Sequence, residues 1–186
     1  MARQAIPVGE FVVRTHHLWA EQWMILTSGD FAAGKFNSMA VGWGSLGTMW
    51  SKPFAQVVVR PGRYTHEFME RYDSFTLCAF APQYRKAVTL LGTKSGRDGN
   101  KIAASGLTPV ASSQVAAPGF AEAELVIECR KIYWQRMDPS GFVDGSIESN
   151  YPNRDYHTIY FGAIVAVMGE AKYRTLKTEG GGGTDA

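Results

Sequence analysis

The run His157–Met168, HTIYFGAIVAVM, narrows the fold of this chain more than any other segment. At a period of two, His157, Ile159, Phe161, Ala163, Val165 and Val167 share one face. The other face, with Thr158, Tyr160, Ile164 and Ala166, is nearly as apolar. A strand apolar on both sides needs cover on both sides, which a barrel wall or a subunit interface supplies. His157 opens this strand at a barrel mouth, with Ile159 and Phe161 expected to point inward. Trp23–Thr27, Phe36–Trp43, Phe54–Arg60, Phe75–Phe80 and Glu124–Trp134 are also rich in β-branched and aromatic residues and bounded by Gly, Pro, Asn or Asp. Six or more strands with scattered short helices predict a closed or partly closed barrel rather than a parallel βαβ sheet.

Three short helices are expected between the strands. Thr65 is placed to cap His66–Arg71, with Phe68 and Tyr72 towards the core. Tyr84, Ala87, Val88 and Leu91 follow helical spacing, and Gly92 can close that helix in the left-handed conformation. Asp98 is expected to cap Gly99–Ser105, which Gly106 ends. Residues Asp138–Asn153 are polar and rich in Gly and Pro, as in a long surface loop. A single domain over residues 1–174 is expected, with 175–186 a disordered, glycine-rich tail.

A net charge of +2 and the absence of a basic block give no sign of a nucleic-acid partner. No apolar run reaches membrane-spanning length, and MARQAIPVGEF lacks the apolar core of a secretory signal, so a cytoplasmic protein is expected. Cys78 and Cys129 sit in apolar strand runs, as buried reduced thiols do. No cysteine or histidine pattern suggests a metal site.

Gly42-Trp43-Gly44-Ser45-Leu46-Gly47 matches the pattern G-x-G-x-x-G. A dinucleotide fingerprint opens a helix, whereas here Pro53 follows soon after and denies a long one. Glycines in a bent strand account for the motif better.

Three other segments carry devices for an aromatic phosphate ester. Phe36-Asn37-Ser38-Met39-Ala40-Val41-Gly42-Trp43 sets amide and hydroxyl groups beside small residues, with Trp43 as a flat wall. An edge strand with ordinary turn chemistry would look the same. Arg60-Pro61-Gly62-Arg63-Tyr64-Thr65 brings guanidiniums and hydroxyls to a strand end, though solvated arginines and a helix cap are the plainer account. Thr93-Lys94-Ser95-Gly96-Arg97-Asp98-Gly99-Asn100-Lys101 is either an anion-binding nest or a charged surface loop.

In order and spacing, FNSMAVGWG, VVVRPGRYTHEF, LLGTKSGRDGNKI, AELVIECRKIYW and YHTIYFGAIVAV resemble the flavin reductase-like, FMN-binding split β-barrel family, especially its flavoredoxin-like branch. The resemblance spans roughly residues 24–168. It implies a mainly β, Greek-key-type split barrel with a few short α-helices. It implies non-covalent FMN, with Asn37, Ser38, Met39, Ala40 and Trp43 along the flavin ring. Arg60, Tyr64, Thr65, Ser95, Gly96 and Arg97 would then lie towards the ribityl tail and phosphate. His157 matches the histidine of the family's glycine–aspartate–histidine motif, read here as Asp155-Tyr156-His157, and is the candidate catalytic residue. That departure bears on NAD(P)H use more than on FMN binding. Ala40 stands where many relatives carry a threonine.

Two functions follow from the resemblance. One is an NAD(P)H-dependent flavin reductase passing electrons to free flavin, oxygen, a metal ion or a partner monooxygenase. The other is a flavodoxin-like electron carrier without its own pyridine-nucleotide site. An oxidase of the pyridoxamine-phosphate type shares the barrel but matches the motifs less well. A homodimer is expected, since the last strand is apolar on both faces and the family builds its flavin site at a two-fold interface.

Overall fold

The computed structural model describes residues 2–175. Its strands are β1 (Gln4–Ala5), β2 (Met24–Asp30), β3 (Lys35–Val41), β4 (Gly44–Met49), β5 (Lys52–Val59), β6 (Ser74–Ala79), β7 (Pro109–Val110), β8 (Gly119–Phe120), β9 (Leu125–Arg136) and β10 (Thr158–Gly169). Helix α1 (Thr15–His17) runs on into a π turn, and α2 (Tyr64–Arg71), α3 (Arg85–Thr93) and α4 (Lys101–Ser105) follow. The main sheet is antiparallel, in the order β3-β2-β6-β9-β10-β5-β4, with β1 added to β10. Strands β3 and β4 are consecutive in the chain yet end the two sides of this path, so the barrel is split between them. No helix among the described residues is long and apolar enough to cross a membrane.

The six expected strands are present within a few residues of their predicted ends. Every residue of β6 is buried because both of its faces are covered. Phe75 and Leu77 enter the barrel core beside Met24, Leu26, Ile127 and Tyr160. Cys78 enters a second core beneath α3 and α4, with Ile25, Val88, Leu91 and Phe120. Both cysteines are free and buried, and burial pushes the Cys78 thiol up to about 12.

Strand β10 departs from expectation. Thr158, Tyr160, Gly162 and Ile164 face inward, while Ile159 and Phe161 lie half-buried on the outside. Register shifts at Phe161/Gly162 and Ile164/Ala166 follow, and Val167 is turned back into the core. A bulge moves the side chains beyond it to the opposite face, which a strict period of two cannot anticipate. Strand β4 was not expected as a separate element. It holds Gly44 and Gly47 of the glycine motif and pairs with β5, as in the strand interpretation of that motif.

The helices are placed as expected, but their ends differ. Thr65 does not cap α2: it is buried, and Arg63 occupies the N-cap position without a side-chain bond. Thr65 and Met69 face the core, while Phe68 and Tyr72 are half-buried. Gly92 is not a left-handed cap but lies within α3, where a Cβ would come within 2.9 Å of the Ala40 Cβ. Asn100, not Asp98, caps α4, its side chain accepting from the Ala103 N–H; Gly106 ends the helix at φ 73°. The 138–153 segment carries two short 3-10 turns and buries Tyr151. The expected tail lies outside the described residues except for Thr175, whose N–H donates to the Glu10 carbonyl at 2.8 Å.

Candidate functional site

The three segments singled out in the sequence meet at one end of the barrel. Asn37, buried on β3, donates from Nδ2 to Thr65 Oγ1 at 2.8 Å. Gly96 packs against both Asn37 and Tyr64 so closely that a Cβ there would overlap Asn37 Oδ1 and the Tyr64 ring. The Arg97 guanidinium lies 4.9 Å from the centroid of the Tyr64 ring and donates to the Gly62 carbonyl at 3.2 Å and to Glu67 at 2.5 Å. Ser95 Oγ accepts the Arg97 N–H at 3.2 Å. Arg63 donates to the Gly92 carbonyl at 2.5 Å, which ties the turn to the end of α3. Burial, and then the charge of Arg60, lower the Arg63 pKa.

Beside this cluster is a cavity of about 470 Å³, lined by Met39, Ala40, Trp43, Val58, Arg60 and His157 among others. Trp43 is 51% exposed and tilted 5.3 Å from the His157 ring. His157 is buried, with its Nδ1 2.8 Å from the Tyr151 hydroxyl. Burial and the Arg60 charge lower its pKa to about 4, against a raising effect of Asp155, so the imidazole is neutral at pH 7. The Tyr151 pKa is raised by burial. Arg60 Nη1 donates to both Asp155 oxygens, at 3.0 and 3.1 Å, and Nη2 to the Asn150 carbonyl at 2.8 Å. Its guanidinium also lies 5.1 Å from the Tyr151 ring centroid.

The expected site residues therefore divide. Met39, Ala40 and Trp43 line the cavity with His157, and Arg60 stands there too rather than beside Ser95, Gly96 and Arg97. Tyr64, Gly96 and Asn37 line a second cavity of about 680 Å³ between the start of β3, α2 and α4. Ser38 and Thr65 spend their hydroxyls inside the protein, Ser38 on Thr27 at 2.8 Å and Thr65 on Asn37. Among the described residues no group of His, Cys, Asp and Glu is arranged to hold a metal ion.

Sequence analysis missed Trp23, Val58, Thr89 and Thr93, which line the first cavity, and Tyr151 behind His157. Thr89 and Thr93 stand one turn apart on α3, a spacing that could have marked a shared face. Phe142, Tyr151 and Tyr156 are aromatic within a polar segment, and they pack together with ring centroids 5.0 to 6.0 Å apart. That cluster was the available signal that the segment packs.

A family model described as "Flavin reductase like domain" matches residues 16–177. Solved structures share the fold at low identity. Flavoredoxin of Desulfovibrio vulgaris (Miyazaki F) is 20% identical with a TM-score of 0.63, the match covering 89% of this chain and 76% of that one. Flavoredoxin from Methanosarcina acetivorans is 21% identical at 0.64, covering 90% and 73%. An FMN-binding domain of a flavin reductase-like enzyme from Shewanella baltica OS155 is 16% identical at 0.65, covering 91% and 78%.

Proposed function

The chain belongs to the flavin reductase-like family, and from that premise we propose that it is a flavoprotein that binds FMN without a covalent link and acts as an NAD(P)H-dependent flavin reductase. The observation that carries this is the apolar cavity, tied to the turn before Tyr64 by Arg63, which donates to the carbonyl of the lining residue Gly92 at 2.5 Å. A cavity of about 470 Å³ is within the range that small-molecule sites occupy. Its walls are flat or small, and its polar groups are few, which fits a planar ring system with one polar edge. Arg97, Ser95 and the backbone around Gly96 would hold the phosphate end, and Met39, Ala40, Val58 and Trp43 would keep water from the ring. A flavin bound there supplies hydride and single-electron transfer. His157, neutral and with Nδ1 occupied by Tyr151, would offer one N–H from Nε2 to orient a ligand's polar edge. Free flavin, oxygen, a metal ion or a partner monooxygenase would accept the electrons. Two buried free thiols support a cytoplasmic setting.

A second function is favoured by one observation. Arg60 lines the cavity with His157 and is already paired with Asp155 at 3.0 Å, so it would have to release that carboxylate to receive an anionic nicotinamide nucleotide. A pair that stays closed would leave an electron carrier served by other proteins. Purified protein released by acid and chromatographed tests the cofactor: FMN is expected, and FAD as the dominant species or a colourless protein that cannot be reconstituted contradicts the proposal. Anaerobic mixing with NADH or NADPH then separates the two functions, since bleaching of the flavin absorbance marks the reductase and reduction by dithionite alone marks the carrier.

The same barrel carries an apolar outer face that a second copy would cover. Trp50 (57% exposed) and Tyr133 (42%) lean on Phe161, which packs on Phe54. Exposed aromatic clusters of this kind mark association surfaces, and a homodimer is the proposed state.

A further inference from the structure

We propose that a third cavity, of about 700 Å³, binds an organic carboxylate with an aliphatic body. It lies between the segment 12–22, the start of α3 and the turn that follows β10. It shares no lining residue with the other two cavities, and none of the residues assigned above to flavin lines it.

The apolar part of its wall is closed. Leu18 is 2% exposed and Phe80 and Val88 are 3%, while Val13 and Ala81 are half-buried. Aliphatic side chains thus outnumber rings there, which suits a flexible hydrocarbon body better than a flat one. A cavity of this volume, mostly apolar with a few convergent polar groups, has the form of a small-molecule site.

The charges that line it leave a positive remainder. Glu124 is buried and its oxygens are already engaged: Oε1 accepts from Gln22 Nε2 at 2.6 Å and from the Tyr173 hydroxyl, and Oε2 lies 2.7 Å from Lys172 Nζ. Glu21 lies 3.0 Å from His17 Nδ1. Arg14 and Arg85 have no carboxylate partner among the described residues. Arg85 is held in place, with Nη1 donating to the Gln22 carbonyl at 3.2 Å, Nη2 to the Glu21 carbonyl at 2.7 Å, and Cζ 4.6 Å from the Trp23 ring centroid. A guanidinium carries five N–H groups, so three remain on Arg85, and its planar fork matches a carboxylate. The acids nearby oppose a dianion such as a phosphate ester, whereas a single negative charge meets two free cations.

Calorimetric titration of the purified protein with octanoate and with 1-octanol tests this. Octanoate is expected to bind about fivefold tighter than the alcohol, the order of one partly exposed ion pair. Arg14→Gln and Arg85→Gln should each reduce that advantage and the double variant should abolish it, with 1-octanol unchanged. Arg14 is exposed and its side chain has no partner among the described residues, so that replacement leaves the fold intact. Ala81→Leu, which adds apolar volume to the wall, should exclude both ligands while the melting temperature holds. Absence of saturable octanoate binding, equal affinity for the two ligands, an advantage that survives the double variant, or binding that Ala81→Leu leaves intact overturns the proposal. Octanoate affinity that falls as protein concentration rises would show a second copy covering the cavity and overturns it too. FMN affinity should be the same in all these variants, so the outcome is independent of the flavin reading.

Discussion

The Tyr151 hydroxyl lies 2.8 Å from His157 Nδ1, and both side chains are buried. The alternative acceptor for that hydroxyl is Met137 Sδ at 3.4 Å, a much weaker one than an imidazole nitrogen. The hydroxyl therefore donates to Nδ1, which leaves the proton of the neutral ring on Nε2. A buried neutral imidazole makes stability depend on pH. Its folded pKa is about 4 against 6.5 for the free group, so below pH 6.5 the unfolded chain takes up a proton that the native site refuses. The associated stability is complete above pH 6.5 and lost as pH falls towards 4, on the order of 3 kcal/mol in all. Urea denaturation from pH 7 to pH 4 is expected to show a component of this slope that His157→Gln abolishes. An unchanged slope in the variant contradicts a buried neutral histidine.

His157→Ala is expected to slow flavin reduction by NAD(P)H while FMN affinity stays nearly intact. Tyr151→Phe should act in the same direction but less, because it releases the tautomer and leaves Nδ1 without its donor, at about 1–3 kcal/mol of stability. Stopped-flow reduction, FMN titration and melting temperature on each variant check this. Loss of FMN affinity before any loss of rate would make His157 part of the flavin cradle instead.

The two arginines should respond differently to the loss of the flavin phosphate. Arg97 reaches Gly62 and Glu67 beside Ser95 and Gly96, whereas Arg60 is held by Asp155 in the cavity with His157. Arg97→Ala is expected to weaken FMN by about 1.5–3 kcal/mol and to leave riboflavin unchanged. Arg60→Ala should weaken both flavins equally, since its partners lie on the ring side. Fluorescence-quenching titrations with FMN and riboflavin separate these outcomes, and equal losses for Arg97→Ala would remove it from the phosphate.

Much of this was legible in the chain, and what was not has physical reasons. Strands such as Phe75–Phe80 announce themselves because buried β-branched and aromatic residues run between turn residues. Strand β4 does not, since four of the six residues of GSLGTM are glycine or carry a hydroxyl, and its pairing comes from β5. Thr65 looks like a cap by position, but its hydroxyl found Asn37, a partner 28 residues away that no local rule can name. Arg60 and Asp155 are 95 residues apart, and their pairing decides where that guanidinium sits. Tyr151 was read with its polar neighbours, and its burial depends on Phe142, His157 and Arg60 arriving from elsewhere.

Gly96 should be the least replaceable residue of the site. A methyl group there would overlap Asn37 Oδ1 and the Tyr64 ring, so the loop must retreat from β3. Gly96→Ala is expected to lower FMN affinity at least tenfold while the melting temperature moves by only a few degrees, because an exposed or half-buried loop can retreat without uncovering the barrel core. Titration and thermal melts on the same preparation check both parts. FMN affinity equal to wild type would show that the loop does not approach the ligand.

The outer face of the barrel carries the prediction about assembly. Trp50, Tyr133 and Phe161 form an aromatic cluster on β10 and its neighbours, and Trp50 sits at φ 53° in the tight turn between β4 and β5. The Trp50 ring packs on Tyr133 and Phe161 of its own sheet and is still 57% exposed, so its outer side is left for another surface to cover. Burying apolar area there is worth about 25 cal/mol per Å², and an isologous contact uses the same patch twice. A charge placed in the patch would be desolvated in both copies. Trp50→Glu and Tyr133→Glu are thus each expected to turn a dimer into a 20.4 kDa monomer at micromolar concentration without loss of strand signal in circular dichroism. Sedimentation velocity reads the mass directly. A wild-type chain already monomeric at that concentration, or variants that remain dimeric, would place the association surface elsewhere or remove it.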